Sequence, residues 1–238
     1  MLKEYLLLMM LDYLSATPYS QKMAFIGGTS LRLVKGIDRF SEDLDFDCKG
    51  LSKEEFIEMT DGVIRFLKRF GVRVEAKDKD NARLTAFRRN IYFPELLFDL
   101  GLSGHKEERF LIKLETQDQG IAYTPVIANI QSCGFFFPFP VPSDGILCSM
   151  KAAAMLARSK GRDFYDLMFL LAQTKPDYEF LARRCGIPHL EAFKQAVAGL
   201  LEKTDLKKKQ KDFEHLLFNK TNSGKILRFG EFVNLLTE

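Results

Sequence analysis

A chain of 238 residues with 46% apolar content and a formal net charge of +3 is long enough for one large domain or two small ones, with a core that needs no disulfides. So small a charge argues against a dedicated polyelectrolyte binder and leaves only local basic patches to hold RNA. Cys48, Cys133, Cys148 and Cys185 are scattered without a C-x-x-C pair, the pattern of reduced intracellular thiols, and His105, His189 and His215 are too dispersed for a zinc site.

Residues 2–15 predict an apolar helix that ends before Thr17 and Pro18. It is hydrophobic nearly all round and is therefore expected in the core or against a partner. Within it YLLLMML is too short to span a bilayer, is flanked by Glu4 and Asp12, and is followed by no small-residue cleavage site. Neither a membrane span nor a signal peptide is expected, and the predicted location is cytoplasmic.

Residues 25–47, FIGGTSLRLVKGIDRFSEDLDFD, read as an apolar strand, a Gly-Gly turn, a short helix over 29–35, a loop and a second strand. Residues 42–47 alternate with the period of an extended strand, so Leu44 and Phe46 share one face and Asp43, Asp45 and Asp47 the other. Carboxylates two residues apart on a strand lie roughly 7 Å from one another and repel. A divalent metal reverses that balance, because two Asp and phosphate oxygens form the hard, oxygen-rich shell that Mg²⁺ prefers. Upstream, Gly27 and Gly28 let the backbone approach a bulky anion, and the helix they open offers free N–H groups to phosphate, with Thr29 as a further hydroxyl donor. The acids at Asp43, Asp45, Asp47 and Glu54 mimic a calcium-binding loop, but Cys48 stands where that loop requires Gly, and the calcium reading fails.

Ser52 and Glu55 form a capping-box signature for a helix that runs to Phe70 and stops at Gly71, with Phe56, Met59, Val63, Phe66 and Leu67 facing the core. A short strand over 73–77, a charged turn and a strand over 84–93 follow. Arg83, Arg88 and Arg89 there read as a solvated strand face, with approach to a nucleotide or RNA as the alternative. Residues 98–108 are loop-like. In the strand over 110–117, Phe110, Ile112 and Leu114 point inward and Lys113 and Glu115 to the other face. Residues 126–141 are β-prone, and Pro138, Pro140 and Pro142 mark an exit, placing the domain boundary between 1–142 and 143–238.

Helices are predicted over 143–157, 163–173, 178–185, 190–201, a basic segment near 205–218, and from 227 to the end. In MKAAAMLARSKGRDFYDLMFLL, Lys151, Arg158 and Arg162 share a face if the helix continues, although Gly161 interrupts it and Asp163 opens the next one. A purely structural account makes Asp163 a helix cap and pairs Asp166 with Arg162. KTDLKKKQK, residues 203–211, reads as a solvated helix face, with an RNA backbone as the alternative occupant.

GGTSLR followed by a D-x-D strand resembles the nucleotidyltransferase fold of DNA polymerase β-like enzymes. With RFSEDLDFD it is similar, more narrowly, to the AbiEii/AbiGii-type toxin nucleotidyltransferases of type IV toxin–antitoxin and abortive-infection systems. The resemblance spans the segments between residues 25 and 171. It implies an α+β chain: a mixed-sheet nucleotidyltransferase domain followed by a helical C-terminal bundle that completes the active site. It implies Asp43 and Asp45 as metal ligands, with Glu115 as the third carboxylate from its K-[IL]-[ED] pattern and Asp99 as runner-up. Gly27, Gly28, Thr29, Arg39 and Ser41 are implied for nucleotide binding. The later motifs, a Lys and then R-D-x-Y-D-L, assign Lys151, Asp163 and Asp166 to catalysis and Arg158 and Arg162 to the nucleotide. The implied activity is Mg²⁺- or Mn²⁺-dependent transfer of NMP from an NTP to an acceptor hydroxyl, on RNA such as tRNA, by a toxin with a cognate antitoxin. The alternatives are protein nucleotidylation, a non-catalytic nucleotide-binding or protein-interaction module of the same fold, and a metal-dependent phosphohydrolase, which has less use for the Gly-Gly turn.

Overall fold

A computed structural model describes residues 1–77 and 86–237. The predicted charged turn, Arg83 and the first residues of the strand expected over 84–93 lie outside the described residues. The chain forms two compact units: residues 1–34, 42–120 and 125–141 make one, and residues 35–41, 121–124 and 142–238 the other.

The first unit is built on α1 (Leu2–Ser15), whose residues Leu6 to Leu11 and Leu14 are all buried, as an all-round apolar helix requires. After it come β1 (Met23–Ile26), α2 (Gly27–Lys35), β2 (Leu44–Cys48) and α3 (Lys53–Arg69). The α3 start carries the reciprocal Ser52–Glu55 cap, and Phe56, Met59, Val63 and Leu67 are buried in the core. Next are β3 (Glu75–Lys77), β4 (Phe87–Tyr92), a single turn α4 (Leu96–Asp99) and β5 (Leu111–Gln117). The five strands order as β1-β2-β5-β4-β3, with β2 and β5 parallel and the other neighbours antiparallel. That mixed pairing sets Asp45 directly beside Glu115.

A hairpin of β6 (Val126–Ser132) and β7 (Phe135–Val141) forms a separate two-stranded sheet, whose Ile130, Phe137, Phe139 and Val141 join the same core. Pro138 and Pro140 therefore lie within a strand and do not mark an exit from one. They are accommodated because, among the described residues, β7 pairs with β6 alone, and alternate positions of such a strand turn their N–H away from the partner, where a missing N–H costs no ladder bond.

The second unit comprises α5 (Asp144–Arg158), α6 (Gly161–Leu171), α7 (Tyr178–Cys185), α8 (Leu190–Leu201), α9 (Leu206–Phe213), a 3₁₀ segment (Lys220–Arg228) and α10 (Phe229–Asn234). Side chains of Asp177, His189 and Asp205 cap α7, α8 and α9. Gly161 is required by packing: a Cβ there would collide with the Lys209 carbonyl and the Phe213 ring, so α6 meets both backbone and side chain of α9. No helix among the described residues is long and apolar enough to cross a membrane.

Candidate active site

The turn from β1 into α2 is the first element of the site. Gly27 has φ 81°, a left-handed backbone that a side chain disfavours, and a Cβ there would overlap the Asp45 carboxylate. The backbone at the helix start and the acid on β2 are therefore packed directly against each other. Leu44 and Phe46 are buried beneath them, as the alternation requires, while Asp43 and Asp45 remain partly exposed.

The Thr29 hydroxyl donates to the Asp43 carbonyl at 2.5 Å, joining α2 to the loop before β2. Thr29 was expected to offer that proton to phosphate; in this arrangement it positions Asp43. Lys113 Nζ lies 2.6 Å from Asp43 Oδ2. Glu115 receives Arg88 through Nε at 2.7 Å and Nη2 at 2.5 Å. Asp43 and Glu115 thus each have a neighbouring cation, from β5 and β4 respectively. Asp47, the third alternating acid, is buried and accepts from the Gln119 N–H at 2.9 Å, with Lys49 at 3.8 Å, which gives it a structural place. Asp99 sits on α4 with Arg73 and outside the sheet, so the strand register favours Glu115.

Among the described residues no three His, Cys, Asp or Glu side chains converge as a ready metal cluster. Mg²⁺ does not need one, because it is commonly held by one or two carboxylates together with substrate phosphates. The oxygen donors of Asp43 and Asp45, with Glu115 in register, fit that mode of binding.

In the helical unit the central group is Asp166, 1% exposed. Arg39 grips it with two prongs, Nε to Oδ1 at 2.5 Å and Nη2 to Oδ2 at 2.7 Å, and Lys151 Nζ donates to Oδ2 at 2.8 Å. Burial alone would raise this carboxyl's pKa, but the Lys151 ammonium and the Arg39 guanidinium outweigh it and hold the group down at about 2. Asp166 is thus an anion between two cations, and it does not pair with Arg162 four residues before it, which has no ion pair among the described residues. Arg39, expected at the nucleotide, is 2% exposed and has its third donor on the Phe40 carbonyl at 2.9 Å. Ser41 is half-buried.

Arg158 forks onto Asp163, Nε to Oδ2 at 2.9 Å and Nη2 to Oδ1 at 2.7 Å, and the Lys160 N–H adds a third bond at 3.1 Å. Asp163 is the third residue of α6 and not its cap, which is Lys160. The seven-residue spacing from Lys151 to Arg158 stays on α5, which ends at Ser159 in a left-handed conformation with φ 49°. Neither Arg88 beside Glu115 nor Arg39 on Asp166 is legible in local pattern, because both depend on pairing between distant segments. All four cysteines are free, and burial pushes the Cys148 thiol up to about 12, leaving it an inert core residue.

Comparison with known proteins supplies the remaining findings. A family model described as the nucleotidyl transferase AbiEii toxin of type IV toxin–antitoxin systems matches residues 9–227. No curated protein matches. Among solved structures, the chain is similar to MenT4, a nucleotidyltransferase toxin of Mycobacterium tuberculosis H37Rv, with 18% identity, 99% of this chain and 84% of that one covered, and a TM-score of 0.64. It is also similar to JHP933 from Helicobacter pylori, with 20% identity, 98% and 89% coverage, and a TM-score of 0.59. At these identities the likeness is one of fold.

Proposed function

The chain belongs to the AbiEii family of nucleotidyltransferase toxins, and from that premise we propose that it transfers a nucleoside monophosphate from an NTP to a hydroxyl of RNA, tRNA in particular, under the control of a cognate antitoxin. The observation that carries this reading is the apposition of the Gly27 backbone and the Asp45 carboxylate, a phosphate-receiving turn set against a metal-binding acid.

The acceptor oxygen attacks the α-phosphorus, a P–O bond forms to it, the bond to the bridging oxygen breaks, and pyrophosphate leaves while the hydroxyl proton passes to solvent or a base. Asp43 and Asp45, with Glu115, are the residues that would hold Mg²⁺ or Mn²⁺, whose charge offsets that of the phosphate oxygens. The N–H groups at the start of α2 receive a phosphate group, and the absence of side chains at Gly27 and Gly28 lets it approach. Within the helical unit, Asp166 with Arg39 acts as the positioning group of Lys151. Asp163, closed off by Arg158 and Lys160, fixes the start of α6.

The test is incubation of the full chain with each labelled NTP, bulk tRNA and Mg²⁺. Label in RNA that disappears on chelation and with Asp45→Asn is the expected result. Label in protein would redirect the acceptor to a side chain, and no label in any fraction would reduce the protein to a nucleotide-binding module.

A further inference from the structure

The lysine-rich segment and an exposed aromatic pair have no part in the chemistry above. On α9, Lys207, Lys208 and Lys211 are exposed, and on the 3₁₀ segment so are Lys220 and Lys225. None of the five pairs with a carboxylate among the described residues, although nearby surface cations do: Arg183 with Glu179, Lys194 with Glu191, Arg228 with Glu231. The two basic elements pack together, and Gln210 Nε2 reaches Ser223 Oγ at 3.1 Å.

Between them in the chain lies Phe218, 46% exposed, whose ring meets that of Phe40, 43% exposed, at 4.1 Å between centroids. Both rings are held from behind. The Phe40 N–H donates to the Leu216 carbonyl at 2.7 Å, Arg39 bridges to Leu217, and Arg39 is itself fixed by buried Asp166. Two half-exposed aromatic rings, followed in the chain by exposed Lys220 and preceded by the lysines of α9, suit a ligand that is flat, apolar and polyanionic together. A single-stranded polynucleotide has that chemistry, offering unstacked bases and phosphates; a duplex hides its bases.

We propose that Phe40 and Phe218 form a stacking platform for an unpaired base, and that α9 and the 3₁₀ segment hold the adjoining phosphates of a single-stranded polynucleotide. The identity of that strand as the RNA acceptor rests on the activity proposed above; the platform stands on its own geometry.

Fluorescence anisotropy with a labelled single-stranded RNA, the same sequence as DNA, and the RNA duplex tests this on the full chain. Single-stranded RNA is expected to bind about tenfold more tightly than the duplex. Phe40→Leu and Phe218→Leu each weaken it about tenfold without changing the salt dependence, and Phe218→Trp restores it. Lys208→Gln with Lys211→Gln instead lowers the salt slope by about 1 per lysine. Equal binding of DNA supports a platform for any single strand; tighter RNA binding supports recognition of the 2′-hydroxyl as well. Unchanged affinity in the Leu variants with unchanged melting, or no preference for single strands, overturns the platform. Should a Leu variant fail to fold, the Trp variant and the lysine pair decide by the same criteria. Phe-dependent binding without any nucleotide transfer overturns the activity and keeps the platform; transfer with Phe-independent binding does the reverse.

Discussion

Gly27 and Asp45 pack so closely that a single methyl group on the glycine would overlap the carboxylate. The contact joins the first residue of α2 to β2, whose antiparallel neighbour β1 sets Ile26 opposite Asp45. It makes the conformation of the turn and the placement of the acid one structural decision.

Gly27→Ala is therefore expected to act twice. A left-handed backbone with a Cβ costs about 1–2 kcal/mol, and the overlap displaces Asp45 in addition. Melting should fall accordingly, and metal-dependent nucleotide binding measured by calorimetry should fall by more than the lost stability explains. Wild-type binding by a folded Gly27→Ala protein would dissociate the turn from the acid.

Asp43→Asn and Asp45→Asn should abolish transfer of labelled NMP while the fold persists. Asp43 is 35% exposed on its side chain and its partner Lys113 is 28% exposed, so losing that ion pair costs about 1 kcal/mol or less. Stability by denaturant and turnover by single-turnover transfer separate the two effects. Full activity in both variants would remove the acids from the chemistry.

Asp166→Asn is expected to behave differently, because it leaves Arg39 and Lys151 buried without their anion. Breaking such a buried pair costs roughly 3–5 kcal/mol. The acid limb of the stability curve should change as well. The folded carboxyl sits at about 2 against 3.8 in the unfolded chain, so ionised Asp166 contributes fully above about pH 4 and its contribution is lost as pH falls through 2. That is about 2 kcal/mol between the two limits. Urea titrations at pH 5 and pH 2.5 check this, and an identical pH slope in wild type and Asp166→Asn would contradict it.

What the sequence made legible is what local pattern decides. The alternation at Leu44 and Phe46, the Ser52–Glu55 cap and the helices Tyr178–Cys185 and Leu190–Leu201 all follow from residues within a few positions of one another. The Arg39–Asp166 bridge closes over 127 residues and Lys113–Asp43 over 70, distances at which no periodicity carries information. Arg39 stands in RFSEDLDFD beside the acids in sequence, yet folding commits its guanidinium to α6. Asp47 has the same spacing as its neighbours, but its burial and the hydrogen bond it accepts from the Gln119 N–H give it a different part. Pro138 and Pro140 suggested a strand end because a proline breaks a ladder, but where a strand paired along one side turns its N–H away from the partner there is nothing to break.

Lys113 supplies the last prediction. Its ammonium neutralises Asp43 from the adjacent strand, so a divalent ion that binds Asp43 must compete with it. The pair is partly exposed and worth about 1 kcal/mol at most, which converts to roughly fivefold in affinity. Lys113→Met should accordingly bind Mn²⁺ up to about fivefold more tightly in the absence of nucleotide, read from the free-ion signal in electron paramagnetic resonance. Thermal stability should drop only slightly, since the lysine stem is replaced by one of similar length and no charge is buried alone. If Lys113 moves to the phosphates once displaced, the same variant should bind NTP more weakly in the presence of metal, an opposite sign in the second titration. Unchanged Mn²⁺ affinity in Lys113→Met, in a protein whose Asp43→Asn variant loses the ion, would show that the ammonium and the metal do not share the carboxylate.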